Sequence, residues 1–150
     1  MEKLKVIVAD DIEILLKGIV KIVKESKKVD KIEVAQNGKE LLEKIKEFEP
    51  DIVFTDLKMP ELTGIEVIEE VKKLKISKKP IFILITSERG FDVIQKSKEL
   101  NFYIEYKPVM PEKIHEYINN LEEYKTEHSI VKEENKIEKQ SIWKRIINMI

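Results

Sequence analysis

Five short apolar runs divide this chain, and stretches of helical period fill the gaps between them. The runs are Lys5–Ala9, Ile32–Ala35, Ile52–Thr55, Ile81–Thr86 and Tyr103–Tyr106. One helical face gathers Ile12, Leu15, Leu16, Ile19, Ile22 and Val23, and a second Leu41, Leu42, Ile45 and Phe48. A third holds Ile65, Ile68, Val71 and Leu74. Val93, Ile94 and Leu100 make a weaker fourth, and Ile114, Tyr117, Ile118 and Leu121 a fifth. Asn37-Gly38 and Thr63-Gly64 read as turn or helix-entry signals, and Pro50, Pro80 and Pro108 mark element boundaries. Strands alternating with helices call for parallel βαβ units with right-handed crossovers. Continuous apolar strands, rather than alternating ones, are those of a sheet covered on both faces. The predicted fold is therefore α/β: a doubly wound, five-stranded parallel sheet with helices on both sides.

In such a sheet, ligands bind beyond the carboxyl ends of the strands. The residues just after each run are the ones to inspect. The stretch "VIVADDIEILL" ends its run on Asp10 and Asp11. Asp56 follows the third run, Thr86 and Ser87 the fourth, and Lys107-Pro108 the fifth. Gln36 and Asn37, after the second, read as ordinary turn residues. Each of these side chains has a plain reading alone. Asp11 can N-cap the next helix, Asp56 can cap a loop, Thr86 can be a strand-end β-former, and Lys107 can be a solvated lysine. Taken together they form a constellation. Three carboxylates in one cleft raise one another's pKa unless a counter-charge is present. A divalent cation resolves that conflict, and hard oxygen ligands suit magnesium. A carboxylate can be the nucleophile of phosphoryl transfer, with a cation, a lysine and a hydroxyl neutralising and holding the phosphoryl oxygens.

Bulk composition leaves this reading room. The 150 residues suit one ordinary domain, and the 42% hydrophobic content supplies a core. Charge is balanced at 28 Lys+Arg against 29 Asp+Glu, which gives no case for nucleic acid as a partner. With no cysteine, disulfides and thiolate metal sites are excluded, as fits a cytoplasmic protein. The few apolar residues before Asp10 predict no signal peptide. The longest apolar run, Ile81–Ile85, is far short of a membrane span. His115 and His128 have no partners at metal-ligand spacing and read as solvated.

From about Lys3 to Lys125 the chain resembles the response-regulator receiver domains of two-component signalling, of the chemotaxis-regulator type. The resemblance rests on Asp10-Asp11, "VFTDLKMPELTG" (Val53–Gly64), "LITSE" (Leu84–Glu88) and "YKP" (Tyr106–Pro108), in order and spacing. It implies a flavodoxin-like sheet of order 2-1-3-4-5. It implies Asp56 as phosphoacceptor, Thr86 and Lys107 as contacts to the phosphoryl group, and Mg2+ held by Asp10, Asp11, Asp56 and the backbone carbonyl of Lys58. It further implies a sensor histidine kinase as donor and a downstream protein target. Lys58 and Glu88 flank the mouth of such a site with opposite charges, which predicts an ion pair across it. One departure stands out: these domains usually carry an aromatic residue three positions before the lysine, and here that residue is Ile104. Strand alternation puts Tyr106 on the face of Ile104 and Tyr103 on the other.

Two rival functions use the same residues. Magnesium-dependent phosphohydrolases with an aspartyl-phosphate intermediate resemble the chain, but want an acid two residues after the nucleophile, where this chain has Lys58. A scaffold that never takes phosphate has no need of the complete set Asp10, Asp11, Asp56, Thr86 and Lys107. The division predicted is a receiver domain over 1–125 and, over 126–150, a charged linker ending in a short amphipathic tail, the stretch after Tyr124 reading either as a frayed extension of the last helix or as a flexible linker. In that tail, Ser141–Ile150, Ser141 is placed to cap a short helix. Ile142, Trp143, Ile146, Ile147, Met149 and Ile150 crowd one side of it, which asks for cover by the domain's own flank or a homodimer, a partner groove, or an anionic membrane.

Overall fold

The computed structural model describes residues 3–149. They fall into two units, one ending at Asn119 and the next starting at Asn120. The first holds β1 (Leu4–Ala9), α1 (Glu13–Lys24), β2 (Val29–Ala35), α2 (Gly38–Phe48), β3 (Ile52–Asp56), α3 (Gly64–Lys73), β4 (Ile81–Thr86), α4 (Phe91–Leu100), β5 (Tyr103–Tyr106) and α5 (Pro111–Asn119). All strand pairings are parallel, in the order β2-β1-β3-β4-β5. The expected doubly wound fold is thus present. Every residue of β3 and β4 is buried. Their side chains alternate between two apolar layers. Ile7, Val53, Phe82 and Leu84 join one core with Leu41, Val67 and Val93 from α2, α3 and α4. On the other face α1 packs with α5, and Phe54 meets Tyr117 edge-on at 6.5 Å.

The expected start of β2 at Ile32 is late. The strand begins at Val29, because an edge strand tolerates the exposed Asp30 and Lys31 and the half-buried Glu33 that interrupt its apolar pattern. Both helix-entry signals hold. Asn37 Oδ1 accepts the Glu40 N–H at 2.8 Å. Thr63 and Glu66 form a reciprocal capping box at 3.1 and 3.0 Å. Asp51, buried at the foot of β3, accepts the Lys5 N–H at 2.8 Å and pairs with Lys78 at 2.7 Å.

The second unit takes the helical alternative of the two read for the stretch after Tyr124. One helix, α6 (Leu121–Asn148), runs through it without a break, and the two units meet at Asn119–Asn120. Residues 121–148 contain neither proline nor glycine and are rich in Glu and Lys, which are strong helix formers. Pairs such as Lys125–Glu122 at 3.5 Å add local support. Ser141 lies inside this helix and caps nothing. Ile150 lies outside the described residues. Among those described, no helix is long and apolar enough to cross a membrane.

Two glycines hold the β3–α3 loop close to its neighbours. A Cβ built on Gly64 would stand 2.4 Å from the Asp56 carbonyl oxygen, and one on Gly38 would stand 2.0 Å from that of Leu62. Both clashes are with backbone, which cannot swing aside. We expect Gly64→Ala to destabilise the domain by roughly 1–3 kcal/mol, the cost typical of an overpacked site. Urea unfolding monitored by circular dichroism measures it.

Candidate functional site

The strand order reverses between β1 and β3, and the acidic residues stand where these two strands end. Asp10 follows β1 directly, its N–H bound to the Ala35 carbonyl of β2 at 3.1 Å. Its side chain is buried, and Oδ1 accepts the Ile12 N–H at 2.9 Å. Asp11 is exposed. It does not cap α1, whose N-cap position is Ile12 with no side-chain hydrogen bond. The plain reading of Asp11 as a cap is thereby set aside. Asp56 ends β3, is buried, and accepts the Leu57 N–H at 2.8 Å. Carboxylate oxygens of Asp10, Asp11 and Asp56 all lie within 4.8 Å of one another.

The counter-charge within the chain comes from the far side. Lys107, after β5, places Nζ 3.3 Å from Asp56 Oδ1 and 3.8 Å from Asp10 Oδ2. Its backbone N–H is bound to the Thr86 carbonyl at 3.0 Å, which ties the ends of β4 and β5 together. The Lys107-Pro108 peptide is cis. Thr86 is buried, and its Oγ1 accepts the Glu88 N–H at 3.1 Å. One lysine against three carboxylates does not balance the site. Burial pushes the Asp10 carboxyl above its ordinary range. The Ile12 N–H opposes that rise, Asp56 adds to it, Lys107 opposes it, and Asp11 adds to it. A crowded set of hard oxygen donors, still in charge deficit beside a lysine, fits a small divalent cation such as magnesium.

Around the mouth, Lys58 and Glu88 form the expected ion pair at 2.9 Å. The Glu88 carboxylate holds the Lys58 ammonium above its ordinary range, chiefly by hydrogen bonding. Ile104 packs toward the α2–α3–α4 core, while Tyr103 sits 5.7 Å from Tyr117 on the opposite face, as strand alternation requires. One neighbour escaped the sequence. Arg89, in the β4–α4 loop, stacks its guanidinium 4.2 Å over the Tyr106 ring. No pattern announces such a stack, because it depends on how the loop turns. His115 is not solvated as expected. It is half-buried, with Nε2 2.9 Å from the Ile22 carbonyl oxygen in the last turn of α1. His128 is half-buried on α6.

Residues 6–119 match the family described as the response regulator receiver domain. Over 90 residues, 60% of its length, the chain is 38% identical to a protein-glutamate methylesterase/protein-glutamine glutaminase of Clostridium acetobutylicum, of which it covers 26%. It is 36% identical over 121 residues, 79% of its length, to the transcriptional regulatory protein YesN of Bacillus subtilis, of which it covers 32%. The chain thus spans about a third or less of these curated relatives. In fold it is similar to a CheY-like response regulator receiver domain protein from Methanospirillum hungatei. The TM-score is 0.72 at 24% identity, over 85% of this chain and 99% of that one.

The charge deficit around Asp10 makes a stability prediction. A carboxyl whose pKa is raised by folding favours the folded state most when protonated, so its ionisation near neutral pH opposes folding. Asp10→Asn removes that charge. Without magnesium at neutral pH, its melting midpoint should lie a few degrees above wild type. The gap should shrink as pH falls and wild-type Asp10 takes up its proton. Calorimetry across a pH series, with chelator present, checks both the sign and the trend.

Proposed function

The chain belongs to the response regulator receiver domain family, and from that premise we propose that it takes a phosphoryl group on Asp56 from a sensor histidine kinase. It then relays that state to a downstream protein target by a change of conformation. The observation that carries the proposal is the position of Asp56. Its carboxylate is buried at the carboxyl edge of the sheet, beside two further acids and 3.3 Å from the Lys107 ammonium. A carboxylate oxygen of Asp56 forms the new O–P bond as the N–P bond to the donor histidine breaks. The departing imidazole keeps the electron pair and takes a proton from water. Asp10, Asp11, Asp56 and the Lys58 backbone carbonyl are the residues that would hold magnesium. When bound, the ion neutralises charge on the phosphoryl oxygens. Lys107 does so from the opposite side, and the Thr86 hydroxyl supplies a hydrogen bond.

We place the signal relay in the β4–α4 loop. Thr86 Oγ1 anchors the Glu88 N–H, Glu88 pairs with Lys58, and Arg89 lies on Tyr106. A Thr86 hydroxyl drawn toward a phosphoryl group pulls on that loop and on the start of α4. Switching here therefore does without an aromatic ring at Ile104. Turnover of an outside substrate is disfavoured, because the residue two positions after Asp56 is a lysine held by Glu88 rather than an acid. We assign the chain a receiver role rather than an enzymatic one, and a cytoplasmic location. We also propose that the receiver unit ends at Asn119 and that α6 is an appendage with its own contacts.

Intact-mass measurement after incubation with a small acyl phosphate tests the phosphoacceptor. Wild type should gain one phosphoryl group with magnesium and none with chelator, and Asp56→Asn none in either case. Equal incorporation by both proteins defeats the assignment. Lys58 and Glu88 partly cover the path of a hydrolytic water. The Lys58→Ala, Glu88→Ala double variant should lose phosphate several-fold faster than wild type, read as decay of the phosphorylated mass.

A further inference from the structure

The charge along α6 is split. Residues 121–138 carry six acidic and three basic side chains, and residues 139–149 carry three basic and no acidic ones. Five apolar residues crowd into this short basic part and stand in water: Ile142 is 48% exposed, Trp143 65%, Ile146 44%, Ile147 62% and Met149 85%, against the scattered exposed Ile130 and Ile137 of the longer acidic part. At about 100° per residue, these five cover an arc of about 160°. Lys144 and Arg145 project from its two borders, and Ser141 and Asn148 lie opposite.

That arc is too broad for a second copy of the helix. A two-stranded seam uses a narrow stripe of two positions in seven. Centred on Ile142, Ile146 and Met149, such a seam would leave Trp143 and Ile147 in water. A flat boundary between water and hydrocarbon covers the whole arc at once. Long basic side chains at the borders then reach up to the headgroups. The indole of Trp143 suits the same boundary, being apolar with one polar N–H. Three cations without an acid require that surface to be anionic.

We propose that the last three turns of α6 lie in the plane of an anionic lipid bilayer surface, holding this receiver at the membrane without crossing it. Trp143 is the only tryptophan, so its emission reports on this segment alone. The test uses the full chain with vesicles of phosphatidylcholine and of phosphatidylcholine mixed with phosphatidylglycerol. The protein should sediment with the mixed vesicles and not with the neutral ones, with a blue shift of Trp143 emission and protection from iodide. Lys144→Gln with Arg145→Gln should weaken partitioning about thirtyfold, since each cation near an anionic surface gives about a fivefold gain. Ile146→Glu with Ile147→Glu should abolish it. Both variants alter exposed positions, and circular dichroism verifies that the helix remains. Equal binding to neutral vesicles overturns the proposal, as does no binding to either. Trp143 shielded without vesicles, in a species whose mass grows with protein concentration, overturns it in favour of a second copy.

Discussion

Three carboxylates share the carboxyl edge of a parallel sheet with one ammonium group, and that imbalance organises much of what surrounds them. Asp10 and Asp56 are buried where strand order reverses, so water cannot screen them fully. Each is steadied by a backbone N–H, Ile12 for Asp10 and Leu57 for Asp56. Lys107 answers both from across β4 and β5. The site therefore stores electrostatic repulsion that one lysine does not offset. Like charges held this close cost the fold some stability.

The loops around the site divide the work. The β3–α3 loop is fixed by close backbone approach, with Gly64 against the Asp56 carbonyl and Gly38 against that of Leu62. This close packing fixes the backbone that carries Asp56. The β4–α4 loop is held by lighter ties: a threonine hydroxyl, an exposed ion pair and a cation over a ring. Such ties are each weak enough to exchange when charge at the site changes. Asp56 thus lies beside one closely packed loop and one lightly tied loop.

Much of this was legible in the residues alone. Continuous apolar runs against helical stripes specify parallel strands covered on both sides, since only that arrangement buries both patterns. Asp10, Asp56, Thr86 and Lys107 could be picked out because a strand's end is where its chain meets the cleft. The caps at Asn37 and Thr63 were legible too, being local. The Lys58–Glu88 pair followed once the family resemblance placed both at the same mouth. The charged edges of β2 hid its first residues, because an edge strand relaxes the apolar rule.

Other features depended on tertiary structure. Whether Asp11 caps a helix or faces the cleft turns on the path between β1 and α1, which no pairwise spacing encodes. The His115 contact with the Ile22 carbonyl and the Arg89 stack on Tyr106 join residues from different elements, and their geometry comes from packing. The polarity of residues 126–148 leaves linker and helix extension equally open in the sequence. Helix formation there follows from local propensity without a breaker, and its exposed apolar arc emerges only when the backbone is wound. The sheet, its covering helices and the acids at its edge follow from the residues alone, because burial and periodicity act residue by residue. The charge balance of the site and the side from which Lys107 meets Asp56 were decided by tertiary structure, because electrostatic energy depends on distances that only folding creates.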